Sequence, residues 1–330
     1  MLFRRTLGEE GELRMLYPWQ ESDYSALAES FSKRQFSALL VSAGINSGQN
    51  QLVQQLVQFM LCNQPNQLHA CGVCNACILL RENNHPDYFV LCGDENEERK
   101  VAQIKVEQIR GLITFANRSQ HISTHKVIVL PRMSELNLNS ANALLKILEE
   151  PPSQCIFILQ ADNLNQVLPT IKSRCFKYQL SLPSWQQALE LVSIKTNAEF
   201  WLRYFNGEPF FEVPLSDKQL EQFQASLLKP SIENIFALSK DLDPKKLGMK
   251  VLVEFLLKWL GDLAALKQVA NLTYFAEQAS ALQHLIPRLN LAKLFNLQED
   301  LVFLSQWYAH PLNHKLQFEN ILFKYQQLYV

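Results

Sequence analysis

The sequence predicts an α/β module followed by an all-helical region. Five short apolar runs, each of strand length, alternate with segments of helical periodicity in the first half of the chain; they are residues 38–41, 88–92, 126–130, 155–159 and 176–180. Buried strands that alternate with helices are typical of a parallel sheet covered on both faces. After Pro183 the strand signals stop, and helical periodicity continues to the end of the chain.

The composition limits the classes of function. The chain has 330 residues, of which 48% are hydrophobic and 19% charged, as expected for a folded protein of two or three domains. A formal net charge of -1 gives no overall attraction to nucleic acid or to an anionic membrane. The most apolar late segment carries Glu254, Lys258 and Asp262, too much charge for a membrane span. Acidic residues follow the basic start, so we expect no signal peptide and a cytoplasmic protein.

Helical patterns connect the predicted strands. The first covers residues 22–34 and is capped by Ser22, and the second runs from about residue 51 to residue 60. A third pattern covers residues 101–117. A fourth is capped by Asn139 or Ser140, and Pro151 ends it because proline cannot continue a helix.

A glycine loop follows the first strand and precedes a helix, which is the layout of a phosphate-binding loop. A working loop of this type has the pattern G-x-x-x-x-G-K-[ST], in which the lysine binds phosphates and the hydroxyl binds magnesium. Here the first glycine position holds Ala43, with Gly44 beside it, and Gly48 is the second glycine. Gln49 stands at the lysine position and Asn50 at the hydroxyl position. Neither supplies a positive charge or the usual magnesium ligand.

The acid that completes such a site normally ends the third strand. Here that strand runs into Pro131, and the first acid is Glu135. We therefore predict that the loop keeps its shape as part of the architecture and that this chain does not hydrolyse ATP. The alternative is a divergent P-loop ATPase that uses unusual ligands.

Four cysteines follow in the pattern C-x8-C-x2-C-x2-C: Cys62, Cys71, Cys74 and Cys77. Four thiolates suit tetrahedral zinc, and a complete set of four leaves no open position for catalysis. We predict a structural zinc ion, with buried free cysteines or a redox pair as the alternatives.

The other candidate ligands near this cluster are surplus to it. His69 and His85 lie nearby in the sequence, but four sulfurs already complete the zinc coordination. Cys92 and Cys155 fall within apolar strands, and we expect both to be core residues.

Arg174 lies between a helical segment and the fifth strand, flanked by Ser173 and Cys175. An arginine in such a place is most often a surface charge. In phosphoryl transfer, however, an arginine supplied by one subunit stabilises the phosphate charge in the site of another. A chain without an active site of its own can still provide such a residue.

Several of these segments occur in the same order in one known family. They are residues 16–19, the glycine loop, the four cysteines, residues 85–88, residues 142–152 and residues 173–175. Between about residues 15 and 180 the chain resembles the bacterial DNA polymerase III delta-prime (δ′) subunits, which belong to the clamp loader. Residues 207–209 are similar to a turn in the second domain of that family.

The resemblance implies an AAA+-like fold of three domains. Residues 15–181 would form the α/β domain, with its five-stranded parallel sheet and a zinc knuckle inserted at residues 62–77. A small helical lid would cover residues 182–225, and a helical collar domain residues 226–330. Residues 1–14 precede the start of the family pattern, so we expect them to be an N-terminal extension peripheral to the fold.

The resemblance also implies a role in DNA replication. Members of the family are non-catalytic accessory subunits of the DNA-directed DNA polymerase holoenzyme. They assemble with gamma/tau-type motor subunits and a delta subunit into a hetero-oligomer that opens the sliding clamp and loads it on primed DNA. Arg174 matches the arginine that acts on the ATP of the adjacent motor subunit. A stand-alone zinc-dependent nucleic-acid binder is the remaining alternative, but residues 70–80 contain neither basic residues nor aromatic residues for stacking.

Overall fold

The computed structural model describes residues 16–44, 46–95, 102–193, 195–242, 244–268, 271–305 and 313–329. The expected N-terminal extension, residues 1–14, lies outside the described residues. The chain divides into two compact units, one up to Gln186 and the other from Gln187 onward. The separation of the helical region into a lid and a collar at residue 225 remains a prediction.

The first unit contains a five-stranded parallel sheet, which confirms the predicted α/β class. Its strands are β1 (Ala38–Ser42), β2 (Tyr88–Val90), β5 (Lys126–Leu130), β6 (Cys155–Ala161) and β7 (Phe176–Gln179). A separate hairpin pairs β3 (Asp94–Glu95) with β4 (Ala102–Gln103). The strand order in the sheet is β2-β5-β6-β1-β7. The first strand in sequence is therefore internal to the sheet and pairs with the last two.

Two predictions about the second strand, its end and the burial of Cys92, need correction. Strand β2 ends at Val90 rather than at residue 92, and Cys92 lies beyond it with its side chain exposed. The prediction that Cys92 is a core residue was therefore wrong. Cys155 begins β6 and is buried, as predicted.

In the described part of the first unit, six helices and three 3-10 turns accompany the sheet; two of the turns are Met133–Glu135 and Leu164–Gln166. The turn Pro18–Gln20 leads into α1 (Glu21–Ser32), and the helices that follow are α2 (Gln49–Leu61), α3 (Asn75–Arg81), α4 (Val106–Ala116), α5 (Leu138–Glu149) and α6 (Pro169–Lys172). The residue that caps α1 is Gln20, and the cap of α5 is Asn137, whose Oδ1 accepts a hydrogen bond from Ser140 N at 2.9 Å. The predicted caps Ser22, Asn139 and Ser140 were therefore wrong; Ser140 lies in the first turn of its helix.

The sheet is covered on both faces because alternate strand residues point to opposite sides. Leu40 and Phe157 belong to one apolar cluster, together with side chains of α4 and α5. Leu39 and Ile158 belong to the other, together with side chains of α1 and α2. Burial of both faces explains why the three internal strands, β5, β6 and β1, are largely apolar. The edge strand β7 is mostly exposed and carries Lys177 and Gln179, so the prediction of a buried fifth strand was wrong.

The second unit is helical. It contains α7 (Trp185–Val192, beginning just before the boundary), α8 (Ala198–Tyr204), α9 (Asp217–Leu228), α10 (Ile232–Asp241), α11 (Pro244–Leu247), α12 (Met249–Lys267), α13 (Ala279–Gln283), α14 (Leu291–Ser305) and α15 (His314–Gln326). One apolar cluster extends from Ala188 to Leu328. Within the described ranges, no helix combines the length and the apolar character needed to cross a bilayer.

Two charged residues of helix α12, Asp262 and Lys258, pack against this core, each with a compensating contact. The Asp262 side chain is 1% exposed, and its carboxylate accepts hydrogen bonds from the backbone N–H groups of Thr273, Tyr274 and Phe275. Lys258 Nζ lies 3.5 Å from the centroid of the Tyr204 ring. Burial lowers the pKa of Lys258 to about 8, although the nearby charges of glutamates oppose that effect.

Candidate functional site

The glycine loop connects β1 to α2. Gly48 is the N-cap of α2 and has a φ of 82°, a left-handed conformation in which glycine avoids the steric cost of a Cβ. Within the loop, Ser47 N donates to Gly44 O at 3.1 Å, and Ala43 N donates to Ala161 O at 3.2 Å. The Gln20 side chain donates to Gly48 O at 2.9 Å. The glycine loop is thus hydrogen-bonded both to Gln20, just before α1, and to Ala161, the last residue of β6.

The side chains at the two phosphate-site positions are bound to the end of β6. Gln49 is 4% exposed, and its Nε2 donates to Asp162 Oδ1 at 3.4 Å. Asn50 Oδ1 accepts a hydrogen bond from Gln160 Nε2 at 3.0 Å. The positions that hold a lysine and a hydroxyl in a working loop therefore hold neutral amides, and the carboxylate of Asp162 lies beside them. This arrangement is electrostatically unfavourable for a polyphosphate.

Glu135, the first acid after β5, binds residues outside the glycine loop. Glu135 Oε2 accepts a hydrogen bond from Gly93 N at 2.7 Å, and Glu135 Oε1 lies 3.4 Å from Arg132 Nη1. Its carboxylate therefore ties the segment after β5 to the segment after β2.

The four predicted zinc ligands come together in space. All four sulfur atoms lie within 4.8 Å of one another. The sulfur of Cys62 is 3.5 Å from that of Cys71 and 3.9 Å from that of Cys74, and the sulfurs of Cys71 and Cys77 are 4.0 Å apart. Zn–S bonds of about 2.3 Å give a tetrahedron with S···S edges of about 3.8 Å. The donor set therefore fits a tetrahedral zinc ion, and all four cysteines are free of disulfides.

Backbone N–H groups donate hydrogen bonds to these sulfurs. Cys62 Sγ accepts from Gln64 N at 3.4 Å and from Cys71 N at 3.3 Å, while Cys71 Sγ accepts from Cys74 N at 3.4 Å. Hydrogen bonds from the backbone of Val73 and Cys74 lower the pKa of the Cys71 thiol. Such donors favour the thiolate, which is the form that binds metal.

The pKa values of the other two thiols, Cys74 and Cys77, are shifted in opposite directions. Burial tends to raise the pKa of Cys74, but hydrogen bonds from backbone N–H groups and contacts with neighbouring thiols lower it to about 6. Burial raises the pKa of Cys77 and, in the same way, that of Cys62. A bound cation would remove this difference by favouring all four thiolates.

His69 and His85, the two histidines near the cysteines in the sequence, contact residues outside the cluster. The His69 ring stacks on Tyr24 with ring centroids 5.2 Å apart. His85 Nδ1 accepts from Asp87 N at 3.1 Å, so the neutral ring carries its proton on Nε2, which lies 3.1 Å from Ser123 Oγ. That hydroxyl donates to Leu61 O at 2.6 Å, at the residue before Cys62.

Asp87 completes a buried polar network that the sequence interpretation did not anticipate. It is 0% exposed, and its carboxylate accepts hydrogen bonds from the backbone N–H groups of His121, Ile122 and Ser123 at 2.7–2.8 Å. Burial alone would raise the pKa of Asp87, but these hydrogen bonds lower it. The sequence indicates residues 85–88 only as a motif. Their contacts join the end of α2, next to the cysteine cluster, to the segment before β5.

Arg174 follows the short helix α6 and precedes β7. Its Nη1 donates to Thr170 O at 2.8 Å and to Ser173 Oγ at 3.3 Å, and its Nη2 forms an ion pair with Glu149. The Arg174 side chain is 32% exposed. Cys175 beside it is buried, and burial raises the pKa of its thiol to about 12, so this cysteine is a packing residue rather than a nucleophile.

Arg174 and the glycine loop lie at opposite ends of the sheet. Arg174 precedes the first residue of β7, whereas the loop follows Ser42, the last residue of the adjacent strand β1. Five strand residues at about 3.3 Å each separate the two ends by about 16 Å. Ligands of open α/β sheets bind at the carboxyl ends of the strands, so Arg174 lies at the wrong end to act on its own loop.

Residues 19–184, half of the chain, match the family described as "DNA polymerase III, delta subunit". A relative from Pseudomonas aeruginosa named "DNA polymerase III subunit delta'" is 38% identical over 178 residues, which are 54% of this chain and 52% of that protein. The protein of the same name from Escherichia coli is 32% identical over 178 residues, with the same coverage. The chain thus spans about half the length of the curated relatives it matches.

Among solved structures, one match is a DNA polymerase III gamma subunit-related protein from Thermotoga maritima. The comparison covers 93% of this chain and 99% of that one, at 18% identity and a TM-score of 0.47.

Proposed function

The chain belongs to the DNA polymerase III delta subunit family, and on that premise we propose that it is the delta-prime-type subunit of a clamp loader. In this role it does not hydrolyse ATP itself. It assembles with gamma/tau-type motor subunits and a delta subunit, and the assembly loads a sliding clamp on primed DNA. The observation that carries the proposal is the position of Arg174, an accessible arginine at the end of the sheet opposite to the chain's own glycine loop.

The contacts of the glycine loop support the absence of hydrolysis. A catalytic loop brings a lysine to the terminal phosphates and a hydroxyl to magnesium. Here the equivalent side chains, Gln49 and Asn50, are neutral and hydrogen-bonded to Asp162 and Gln160. The loop is a turn that positions α2, which in turn carries the first cysteine of the cluster at its C-terminal end.

The contacts of Arg174 support a role in a neighbouring site. Two carbonyl or hydroxyl oxygens and one carboxylate hold its guanidinium, and three of its five N–H donors suffice for these contacts. An exposed ion pair such as that with Glu149 contributes only about 0–1 kcal/mol, so a polyphosphate can displace it. An arginine that reaches a γ-phosphate from another subunit accelerates transfer by about 10³–10⁵.

The cysteine cluster has a structural role in this proposal. Cys62, Cys71, Cys74 and Cys77 would hold one zinc ion, which cross-links the end of α2 to α3 and contributes to folding. With four thiolate ligands, no coordination position is left for a substrate.

The test is hydrolysis of ATP by the reconstituted complex in the presence of clamp and primed DNA. Arg174→Ala should abolish most hydrolysis at the adjacent site, whereas Arg110→Ala, at an exposed position on α4, should leave the rate unchanged. Equal rates for the wild type and both variants would make Arg174 an ordinary surface residue.

Two further measurements on the isolated chain address the alternative functions. ATP turnover that is lost on Gly48→Asp would favour a divergent ATPase. Tight binding of DNA that weakens steeply with salt would favour a stand-alone nucleic-acid binder.

A further inference from the structure

We propose that a pocket at the amino ends of β1, β6 and β7 receives a carboxylate-bearing segment of the neighbouring subunit, and that Arg34 is the cation that binds it. This inference rests on the proposed function, because the neighbour in question is the subunit whose nucleotide Arg174 serves. It adds a binding site that is separate from the arginine's role in hydrolysis.

The pocket is a cavity of about 640 Å³ with an aromatic wall. Phe36 and Phe176 stack with ring centroids 5.5 Å apart, and Phe176 is 36% exposed. Pro151 and Pro152 form another part of the lining. Rigid apolar surfaces of this kind bind a partner at low entropic cost, since few side-chain rotamers become fixed.

The charges of the lining have a single sign. Arg34 and Arg174 line the pocket, and none of the described lining residues is acidic. His125 also lines it; burial lowers the pKa of that imidazole, and the charge of Arg34 lowers it further. The histidine is therefore neutral near pH 7. Because the charge of Arg174 is balanced by Glu149, Arg34 gives the pocket its positive potential.

Arg34 differs from the lysine beside it in having no acidic partner. Lys33 Nζ lies 3.0 Å from Glu29 Oε2. For the exposed Arg34 side chain, in contrast, the described part of the chain supplies neither an ion pair nor a hydrogen bond. Its φ is 53°, the left-handed conformation that often follows a helix and favours glycine. The arginine thus occupies a position where its backbone is strained and where its charge has no acidic partner among the described residues.

Arg174 is the less suitable of the two for a new carboxylate. It already pairs with Glu149 and donates to Thr170 O. No described residue accepts a hydrogen bond from the Arg34 side chain, and an arginine binds a carboxylate through two parallel hydrogen bonds. We therefore assign the partner's acid to Arg34 and keep Arg174 for the phosphate.

The lining favours a protein segment over a nucleic acid. A nucleic-acid backbone requires a row of cations that follows its phosphates, whereas this pocket offers two arginines among aromatic rings and prolines. Arginine and aromatic residues are enriched at the energetic centres of protein interfaces.

The experiment measures the dissociation constant between this full-length chain and the complex that lacks it, at several salt concentrations. Arg34→Ala should raise the dissociation constant about tenfold or more, as expected for an arginine at the centre of an interface. It should also weaken the dependence on salt. Arg34→Glu should raise the constant further. Lys33→Ala is the matched control, because this cation neighbours Arg34 but does not line the pocket, and it should leave the constant unchanged.

The outcomes separate this inference from the proposed function. An unchanged dissociation constant for Arg34→Ala and Arg34→Glu would overturn the inference, even if Arg174→Ala abolishes hydrolysis. If Arg34→Ala weakens assembly while Arg174→Ala leaves hydrolysis unchanged, the pocket stands and the role of Arg174 fails. If Arg34→Ala leaves assembly intact but weakens binding of primed DNA by the complex, the pocket is a nucleic-acid site and the inference is wrong. Circular dichroism melting of each variant establishes that the fold is retained.

Discussion

At the carboxyl end of the sheet, the glycine loop packs neutral amides against Asp162, whereas at the amino end two arginines line an open pocket. The two ends belong to the same three strands, yet the amino end presents arginines to a partner, whereas the described side chains at the phosphate-site positions of the carboxyl end are neutral amides beside a carboxylate. In an enzyme of this architecture the carboxyl end would hold the ligand. The difference teaches that the chemistry expected at a topological position depends on the side chains there, and not on the fold.

Helix α2 connects the two ends. It begins at the loop, with Gly48 as its N-cap, and its C-terminal residue Leu61 precedes the first cysteine. The carbonyl of Leu61 accepts a hydrogen bond from Ser123, which also contacts His85. The hydrogen bonds of Ser123 with Leu61 and His85, which reach the residue before the cysteine cluster, therefore lie at the amino end of the sheet. We expect substitutions at this end to have larger effects than substitutions at the glycine loop.

The largest effect is expected from the cysteine cluster. Cys74→Ser, or treatment with a strong chelator, should remove the zinc and unfold residues 62–81, since structural zinc contributes about 10–16 kcal/mol of apparent binding free energy in zinc-finger peptides at pH 7. Metal analysis and limited proteolysis check this expectation. Cys92→Ser, at an exposed cysteine outside the cluster, is the control. A purified wild type with far less than one zinc per chain would contradict the assignment.

The next largest effect is expected from Arg174, and it should appear in rate rather than in stability. Arg174→Lys keeps the charge but loses the planar fork, so hydrolysis at the adjacent site should fall by about 10³, close to the loss in Arg174→Ala. Single-turnover hydrolysis by the reconstituted complex measures this. Gln49→Ala in the same assay should leave the rate unchanged. A comparable loss for Gln49→Ala would show that the loop also acts in hydrolysis and would break the contrast between the two ends.

Asp87 should have a moderate effect on stability. Asp87→Asn replaces a carboxylate that accepts three backbone N–H groups, and it leaves at least one of these donors without a partner. We expect a loss of about 2–4 kcal/mol in the free energy of unfolding, measured by urea denaturation. Asp94→Asn, at an exposed aspartate, should change it by less than about 0.5 kcal/mol. Equal, small losses for both would mean that the amino end has no special role in the fold.

A smaller effect is expected from restoring the residues of a working loop. In the double variant Gln49→Lys with Asn50→Thr, the hydrogen bond from Gln160 to Asn50 is lost, which should cost about 1 kcal/mol. The isolated variant should still not hydrolyse ATP, because no acid ends β5 and Glu135 is bound to Gly93. Steady turnover of ATP by this variant would show that two substitutions suffice and that the carboxyl end is closer to an active site than its contacts indicate.

The smallest effect concerns His85 and pH. Burial lowers the pKa of His85, although the charge of Asp87 partly offsets this. Because the folded protein then binds this proton less readily than the unfolded chain, His85 makes stability fall as the pH drops through about 6.5. The urea midpoint of His85→Gln should change less between pH 7.5 and pH 5.5 than that of the wild type. An identical change in both proteins would mean that His85 does not titrate differently on folding.

The fold was largely predictable because its signals are local. Strand β5 has the predicted bounds, and the other four strands overlap the predicted runs, since the internal strands are buried on both faces and therefore largely apolar. Errors occurred where neighbouring residues could play the same part. Asn137, Asn139 and Ser140 are all able to cap a helix, and only tertiary packing selects Asn137.

The site was predictable only as far as its residues are close in sequence. The four cysteines fall within one short segment, so their spacing indicated their proximity. The partners of Gln49 and Arg174 are 113 and 25 residues away, and no periodicity in the sequence reports such contacts. The network of His85, Asp87 and Ser123 was missed for the same reason, although the residues 85–88 were recognised as a motif.

The position of β1 between β6 and β7 also has a consequence for synthesis on the ribosome. Both edges of β1 remain unpaired until β6 and β7 have been translated. At translation rates of about 5–20 residues per second, that interval is on the order of ten seconds. During this time a largely apolar strand presents free backbone N–H and C=O groups, which is a template for pairing with other nascent chains. Conditions that slow translation between residues 42 and 179 should therefore increase aggregation of the newly made protein more than the same slowing after residue 187.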